Sequence, residues 1–303
     1  MTENTIDNGP RPVPPNVAIP KYCAFIDVLG YGALIQDTSL NYSQKSHRLN
    51  SLYSNVVTNV GMDIGHLNRT YGNPIKAWSF SDCLYLQSDS IEMLVVAIER
   101  IFNNVFNLYT GFSLTEEWTP MLRCGMAKGW IHEFRSFSSL VNGGEETTPV
   151  GPGVAHAFWT SEKSGISGMK IILTNEVIQD LRTTHLGTNP FEHVIKEIAS
   201  ENVVLPYYFK RVTGGTKEKP VTLFELIWPF EAMGNTPWNF IDELEKLHAT
   251  FDPNHLRHFT ATAKLFRDAL DISGQRKGNP VVYERERDRL NEMVEGRIPP
   301  PRD

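Results

Sequence analysis

Two carboxylates in this chain interrupt apolar runs, and each has the setting of a divalent-cation ligand. Asp27 ends the run Tyr22-Cys-Ala-Phe-Ile-Asp27 and is followed by Val28, Leu29, Gly30, Tyr31 and Gly32. Asp82 lies within Phe80-Ser-Asp82-Cys-Leu-Tyr-Leu86. A lone acid at a strand end is ordinarily a turn residue or a helix cap. A second acid in an apolar strand run changes that reading, because a buried carboxylate is costly unless it is paired or metal-bound. On adjacent strands the two could share one or two Mg2+ or Mn2+ ions, hard cations that take oxygen ligands. Backbone N–H groups after Asp27 could then cradle a phosphate. That is the equipment of two-metal nucleotidyl transfer.

The elements that must position these acids can be read from periodicity. Residues 22–27 form a short strand, and Leu49, Leu52, Val56 and Val60 recur at helical spacing between about 46 and 64. Residues 75–86 read as a hairpin with Asp82 inside its second arm. Asp89 starts a helix with Glu92 placed as in a capping box, and Ile91, Leu94, Val95, Ile98, Ile101, Phe102 and Val105 form its apolar face. Residues 121–130 and 171–173 are strands, and Asn175 can cap a short helix over 176–182. Residues 207–211 and 221–228 are hairpin arms about the Gly214-Gly215 turn. After Pro229 the chain turns helical and strongly charged, over 238–248, 254–272 and 283–294. The division expected is a tail over 1–20, which holds five prolines, an α/β domain over 21–228 and a helical extension over 229–303.

Composition narrows the function classes. Lys and Arg number 29 against 35 Asp and Glu, a formal net charge of −6. That balance argues against broad binding to nucleic acid or to anionic membrane. The N-terminus has no signal-peptide pattern, and no apolar run approaches the ~20 residues that span a bilayer. Cys23, Cys83 and Cys124 are far apart and form no CxxC pair, which fits a reducing, cytoplasmic setting. His132 and Glu133 make no HExxH motif, and His255 and His258 flank no acid at ligand spacing, so zinc is not indicated. Gly143-Gly-Glu-Glu146 reads as a surface loop, and Ser138-Ser139 has no matching His and Asp pattern for a hydrolase triad.

Five motifs in order resemble class III nucleotide cyclases. Phe25-Ile-Asp27-Val-Leu-Gly-Tyr-Gly32 is similar to that family's opening strand and metal loop, and Phe80-Ser-Asp82 to its second metal strand. Arg123-Cys-Gly125-Met-Ala-Lys-Gly129 resembles the Arg-x-Gly-Ile-x-x-Gly strand. Gly151-Pro-Gly-Val-Ala-His-Ala157, with Glu162 after it, resembles the helix start that faces substrate in a dimer. Phe209-Lys210-Arg211 and Leu223-Phe-Glu-Leu226 resemble the closing hairpin. The match runs over residues 22–228, about two-thirds of the chain. It departs from the family where the catalytic Asn meets Ala155, the transition-state Arg meets Trp159, and the purine-selecting residue meets Trp78. The style of the first two motifs resembles the pyrimidine cyclases of bacterial Pycsar anti-phage systems.

The resemblance implies an α+β fold with a ferredoxin-like βαββαβ core and a C-terminal helical extension. It implies a homodimer that makes cyclic UMP, or cyclic CMP, and pyrophosphate from the triphosphate, with UTP favoured and a separate effector protein sensing the product. Asp27 and Asp82 would hold two Mn2+ or Mg2+ ions, with the Val28 carbonyl as a further ligand. Phe25, Leu29, Gly30, Tyr31, Gly32 and Trp78 would contact substrate. Lys210, then Arg211, would neutralise phosphate charge, although Lys210 reads equally as a solvent-facing strand lysine. Arg123 is expected to pair with an acid inside the sheet, and His156 is expected in packing or capping rather than at substrate. The alternatives are a catalytically inactive nucleotide-binding module, a purine cyclase, or a scaffold whose helices after 229 are the functional part.

Overall fold

The computed structural model describes residues 20–29, 31–72, 75–111, 121–136, 141, 146–183, 196–197, 204–205, 209–216, 218–229, 233, 235–250, 256–277 and 283–297. Strand β1 (Pro20–Leu29) is followed by a short helix α1 (Tyr31–Gln36), a long helix α2 (Tyr42–Tyr71) and the hairpin β2 (Lys76–Phe80) and β3 (Cys83–Ser88). Helix α3 (Ile91–Gly111), strand β4 (Met121–Trp130) and the small hairpin β5 (His132–Arg135) and β6 (Thr147–Val150) come next. Then follow α4 (Pro152–Glu162), β7 (Ile171–Thr174), α5 (Asn175–Thr183), the two-residue strands β8 (Lys196–Glu197) and β9 (Val204–Leu205), and the hairpin β10 (Phe209–Gly215) and β11 (Pro220–Leu226). Three helices close the chain: α6 (Pro237–Thr250), α7 (Leu256–Lys277) and α8 (Glu284–Val294).

The main sheet has seven strands in the order β10-β11-β7-β4-β1-β3-β2. Within it, β4-β1-β3-β2 is fully antiparallel, with helical connections before β2 and before β4. This is the expected ferredoxin-like βαββαβ core. Strand β7 adds parallel to β4, and β11 and β10 complete the sheet.

Local chemistry sets the element ends. Asn41 and Gln44 form a reciprocal capping box on α2, and Gly72 at φ 63° closes it in the left-handed region that glycine enters without steric cost. Helix α2 therefore extends beyond both ends of the expected 46–64. At α3 the cap is Ser90 rather than Asp89. The Ser90 hydroxyl accepts from the Met93 N–H at 3.2 Å and donates to Glu92 at 2.8 Å, while Asp89 pairs with Lys21. Gly214 and Gly215 end β10 rather than forming the turn between the hairpin arms.

Alternation along β1 divides its side chains between two faces. Ala24, Ile26 and Val28 enter the large core with α2 and α3, whereas Cys23 and Phe25 join a smaller cluster with Tyr85, Ala127 and Ala157. Helix α4 covers that second face because Gly125 and Gly129 let it lie against β4. A Cβ on Gly125 would stand 2.3 Å from the Ala157 carbonyl oxygen.

The charged C-terminal helices share the large core. Trp228 is fully buried, and its ring lies 5.4 Å from Phe102, 6.1 Å from Phe240 and 5.9 Å from Phe266. Helix α7 also satisfies loop backbone directly: the Gly168 N–H donates to His258 Nδ1 at 3.1 Å and the Met169 N–H to Thr262 Oγ1 at 2.8 Å. Arg289 of α8 clamps α6 through Asp242 and Glu245. The solvated face read in the sequence is thus one side of helices whose other side, with Phe240, Phe259, Phe266 and Leu290, is fully buried.

Candidate active site

Asp27 and Asp82 come together at one end of the sheet. One ligand atom from each of Asp27, Asp82 and Cys83 lies within 4.8 Å of the other two. Asp27 sits in β1 opposite Cys83 of β3 and opposite Arg123 of β4. Asp82 is not inside the strand, as the hairpin reading placed it. It occupies the two-residue turn with Ser81, which adopts φ 55° and swings the carboxylate toward Asp27. Its partial exposure there removes much of the desolvation cost that a strand position would carry.

Asp27 has different partners on its two oxygens. Oδ2 accepts from Arg123 Nη2 at 3.0 Å, while Oδ1 and the Asp82 Oδ1 each lie 3.6 Å from the Cys83 sulfur, as alternative acceptors for its single hydrogen. Arg123 also donates from the same nitrogen to Glu162 at the end of α4. Arg123 is therefore paired with an acid inside the sheet, as expected, and the acid is the candidate metal ligand itself. Burial and the neighbouring Glu162 charge push the Asp27 carboxyl up to about 6, against the opposing pull of Arg123. Burial and the two carboxylates hold the Cys83 thiol far above its usual range, so it stays a neutral donor.

The raised Asp27 value fixes the sign of a pH effect. A carboxyl that binds its proton more tightly folded than unfolded contributes stability below pH 3.8, and that contribution is lost as pH rises through about 6. Thermal melts in a chelator should therefore show the native chain losing stability between pH 4 and 6 relative to Asp27→Asn. Parallel pH profiles for the two chains would contradict this origin.

The donor set is two carboxylates and a neutral thiol; the paired carboxylates, with the further negative charge of Glu162 near Asp27, suit a hard divalent cation. A cavity of about 210 Å3 adjoins Asp82, between α2 and the β2–β3 turn, lined by Val28, Tyr31, Asn50, Val57, Asp82 and Cys83 among others, with Asp27 outside its lining. Val28 and Leu29 are buried at the end of β1, Tyr31 packs against the large core, and Gly32 is exposed in α1. Gly30 lies outside the described residues, as does most of the Gly143–Glu146 loop.

The predicted base contact Trp78 lies on β2 opposite Tyr85, half-buried on the face that carries Phe25 and Asp27. Phe25 is buried there, edge-on to Tyr85 at 6.2 Å and to Phe158 at 5.1 Å. Lys210 and Arg211 are not brought to the acids within one chain. They sit on β10, four strands from β1, or about 19 Å at ordinary strand spacing. There Lys210 donates to Asp268 of α7 at 2.7 Å. His156 is exposed beside a separate groove near Lys128 and Asp180, and its carbonyl accepts from the Thr160 hydroxyl at 2.8 Å. Of the departures from the family, Ala155 is exposed on α4 and Trp159 is half-buried.

Sequence reasoning left two members of the cluster without a role. Cys83 is adjacent to Asp82 in sequence, which was a usable signal. Glu162 reaches Arg123 only because α4 lies close on β4, a contact that no local pattern announces.

No family model matches the chain, and no curated protein matches it. Solved structures similar to it include the guanylyl cyclase Cya2, with 10% identity, a TM-score of 0.47 and coverage of 69% of this chain and 92% of that one. The non-canonical dimeric guanylyl cyclase domain of a RhoGC fusion protein from the aquatic fungus Blastocladiella emersonii shows 9% identity and a TM-score of 0.43, covering 68% of this chain and 95% of that one. The adenylyl cyclase CyaB from P. aeruginosa shows 14% identity and a TM-score of 0.41, covering 69% and 94%. Among the described residues no helix is long and apolar enough to cross a membrane.

Proposed function

We propose that this chain is a pyrimidine nucleotide cyclase that converts UTP, or CTP, to the 3′,5′-cyclic monophosphate and pyrophosphate. The observation that supports the cyclase part of the proposal is the convergence of Asp27, in β1, and Asp82, in the turn between β2 and β3, on one cluster of the βαββαβ core, while the pyrimidine preference rests on the resemblance alone. Their motifs are the two in which the sequence resembles the metal strands of class III cyclases.

In this reading Asp27 and Asp82 hold Mn2+ or Mg2+, with the Val28 carbonyl as a further ligand. When bound, the ions supply a lowered 3′-hydroxyl pKa and neutralise the β- and γ-phosphates. The 3′-oxygen attacks the α-phosphorus of the same nucleotide, a new phosphorus–oxygen bond closes the ring, and the bond to pyrophosphate breaks. The backbone from Leu29 to Gly32 contacts the triphosphate, and Phe25 and Trp78 supply aromatic surface for the base. Lys210 and Arg211 enter the scheme only from a second copy of the chain, since their own acids lie four strands away. A homodimer is therefore part of the proposal. So is a role in anti-phage signalling through a separate effector, which follows from the resemblance to Pycsar cyclases alone.

The test is incubation with each of the four ribonucleoside triphosphates and Mn2+, followed by chromatography of the products. Cyclic UMP or cyclic CMP as the dominant product supports the reading. Equal turnover of ATP and UTP would overturn the pyrimidine assignment. A second reading, an inactive nucleotide-binding module, draws on Ala155 and Trp159 in place of the family's Asn and Arg. It requires binding without product from any of the four.

A further inference from the structure

We propose that Arg123 is a built-in counter-ion that competes with the divalent cation for Asp27, and that Glu162 retains Arg123 when the cation takes Asp27. This deepens the metal-site reading above and rests on it. Arg123 Nη2 alone bridges the Asp27 and Glu162 carboxylates, so the guanidinium makes no two-pronged grip on either acid. Its Nε is buried with no hydrogen-bond partner among the described residues. The three side chains are only 12%, 15% and 24% exposed for Arg123, Asp27 and Glu162, so their mutual field is weakly screened.

The geometry gives the competition a direction. Asp27 presents Oδ1 to Cys83 and the side of Asp82, while Arg123 holds Oδ2. A cation binding on the Oδ1 side meets a carboxylate whose charge is already partly neutralised by the guanidinium. Glu162 offsets that guanidinium, drawing Arg123 toward α4 and leaving more of the Asp27 charge to the metal. Helix α4 can deliver Glu162 because Gly125 permits its close seat on β4. Arg123 and Glu162 are thus positioning residues that set metal affinity without touching the metal.

This reading requires changes of opposite sign at the two positions. Mn2+ affinity measured by electron paramagnetic resonance, without nucleotide, should rise about tenfold in Arg123→Met and fall about tenfold in Glu162→Gln, the scale expected for one unit charge a few ångströms away. Arg123→Lys, which keeps the charge, should stay within a few-fold of the native chain. Circular dichroism checks folding. If Arg123→Met fails to fold, the isosteric Glu162→Gln carries the test, and unchanged affinity there overturns the proposal. Weaker binding in a folded Arg123→Met chain also overturns it, because a merely structural arginine would lose affinity in that way. Native protein that binds no Mn2+ would sink the metal-site reading as well, a result distinct from native binding with the wrong sign in the variants.

Discussion

Asp27→Asn should abolish cyclic nucleotide formation while leaving the chain folded. The substitution keeps the shape of the side chain and removes the charge that a divalent cation needs. Arg123 retains Glu162 as its partner, so no buried guanidinium is left unpaired. A metal contributes several kcal/mol to such a transition state, and each 1.36 kcal/mol is tenfold in rate. Product formation should accordingly fall by about a thousandfold or more, and Mn2+ binding should weaken in parallel. Asp82→Asn should behave similarly. Because Asp82 is in an exposed-side turn, that change should leave thermal stability nearly untouched. Full activity of either variant, measured by chromatography of the product, would show that the cluster is not the reacting centre.

The second large effect concerns the C-terminal helices. A chain ending at residue 228 should fail to give a cooperative thermal melt. It loses Phe240, Leu244, Phe259, Phe266 and Ala269, all fully buried, and uncovers Trp228, Phe102 and Phe106 beneath them. A single buried Phe→Ala change costs about 3–5 kcal/mol, against a total stability of about 5–15 kcal/mol for an ordinary protein. Phe266→Ala alone should lower stability by about 3–5 kcal/mol as read by denaturant melts. The truncation also removes the His258 and Thr262 side chains that accept the Gly168 and Met169 N–H groups. A truncated chain that melts cooperatively near the full-length temperature would contradict a shared core and restore the helices to a separate functional role.

Much of the fold was legible because local patterns agreed with it. Asp27 stood out since an acid closed an apolar strand run, and the strands around it alternate as strands should. Asp82 was identified from the same kind of contrast, yet its seat in a two-residue turn depended on Ser81 taking a positive φ, which no residue type there announces. The cap of α3 shifted by one residue because Ser90 and Asp89 are both good caps, and the Lys21 partner drew Asp89 away.

The rest depended on contacts between distant segments. Charge runs in the last helices concealed Phe240, Phe259 and Phe266, whose spacing within charged stretches gives only a narrow apolar stripe. The Arg123 bridge joins β1, β4 and α4, and the Lys210 partner comes from α7. Periodicity along one segment carries no information about which distant carboxylate will face which cation.

In the proposed function the acid cluster drives intramolecular attack of the 3′-oxygen on the α-phosphorus. The decisive measurement is phosphorus-31 NMR of reactions of the native protein and Mn2+ with UTP and with CTP, recorded after a chelating resin has removed the paramagnetic ion. The expected spectrum, with at least one of the two nucleotides, shows a cyclic phosphodiester and pyrophosphate growing in equal amounts, both lost in Asp27→Asn. Orthophosphate with a nucleoside diphosphate, or both triphosphates unchanged under conditions where Mn2+ is bound, would contradict it.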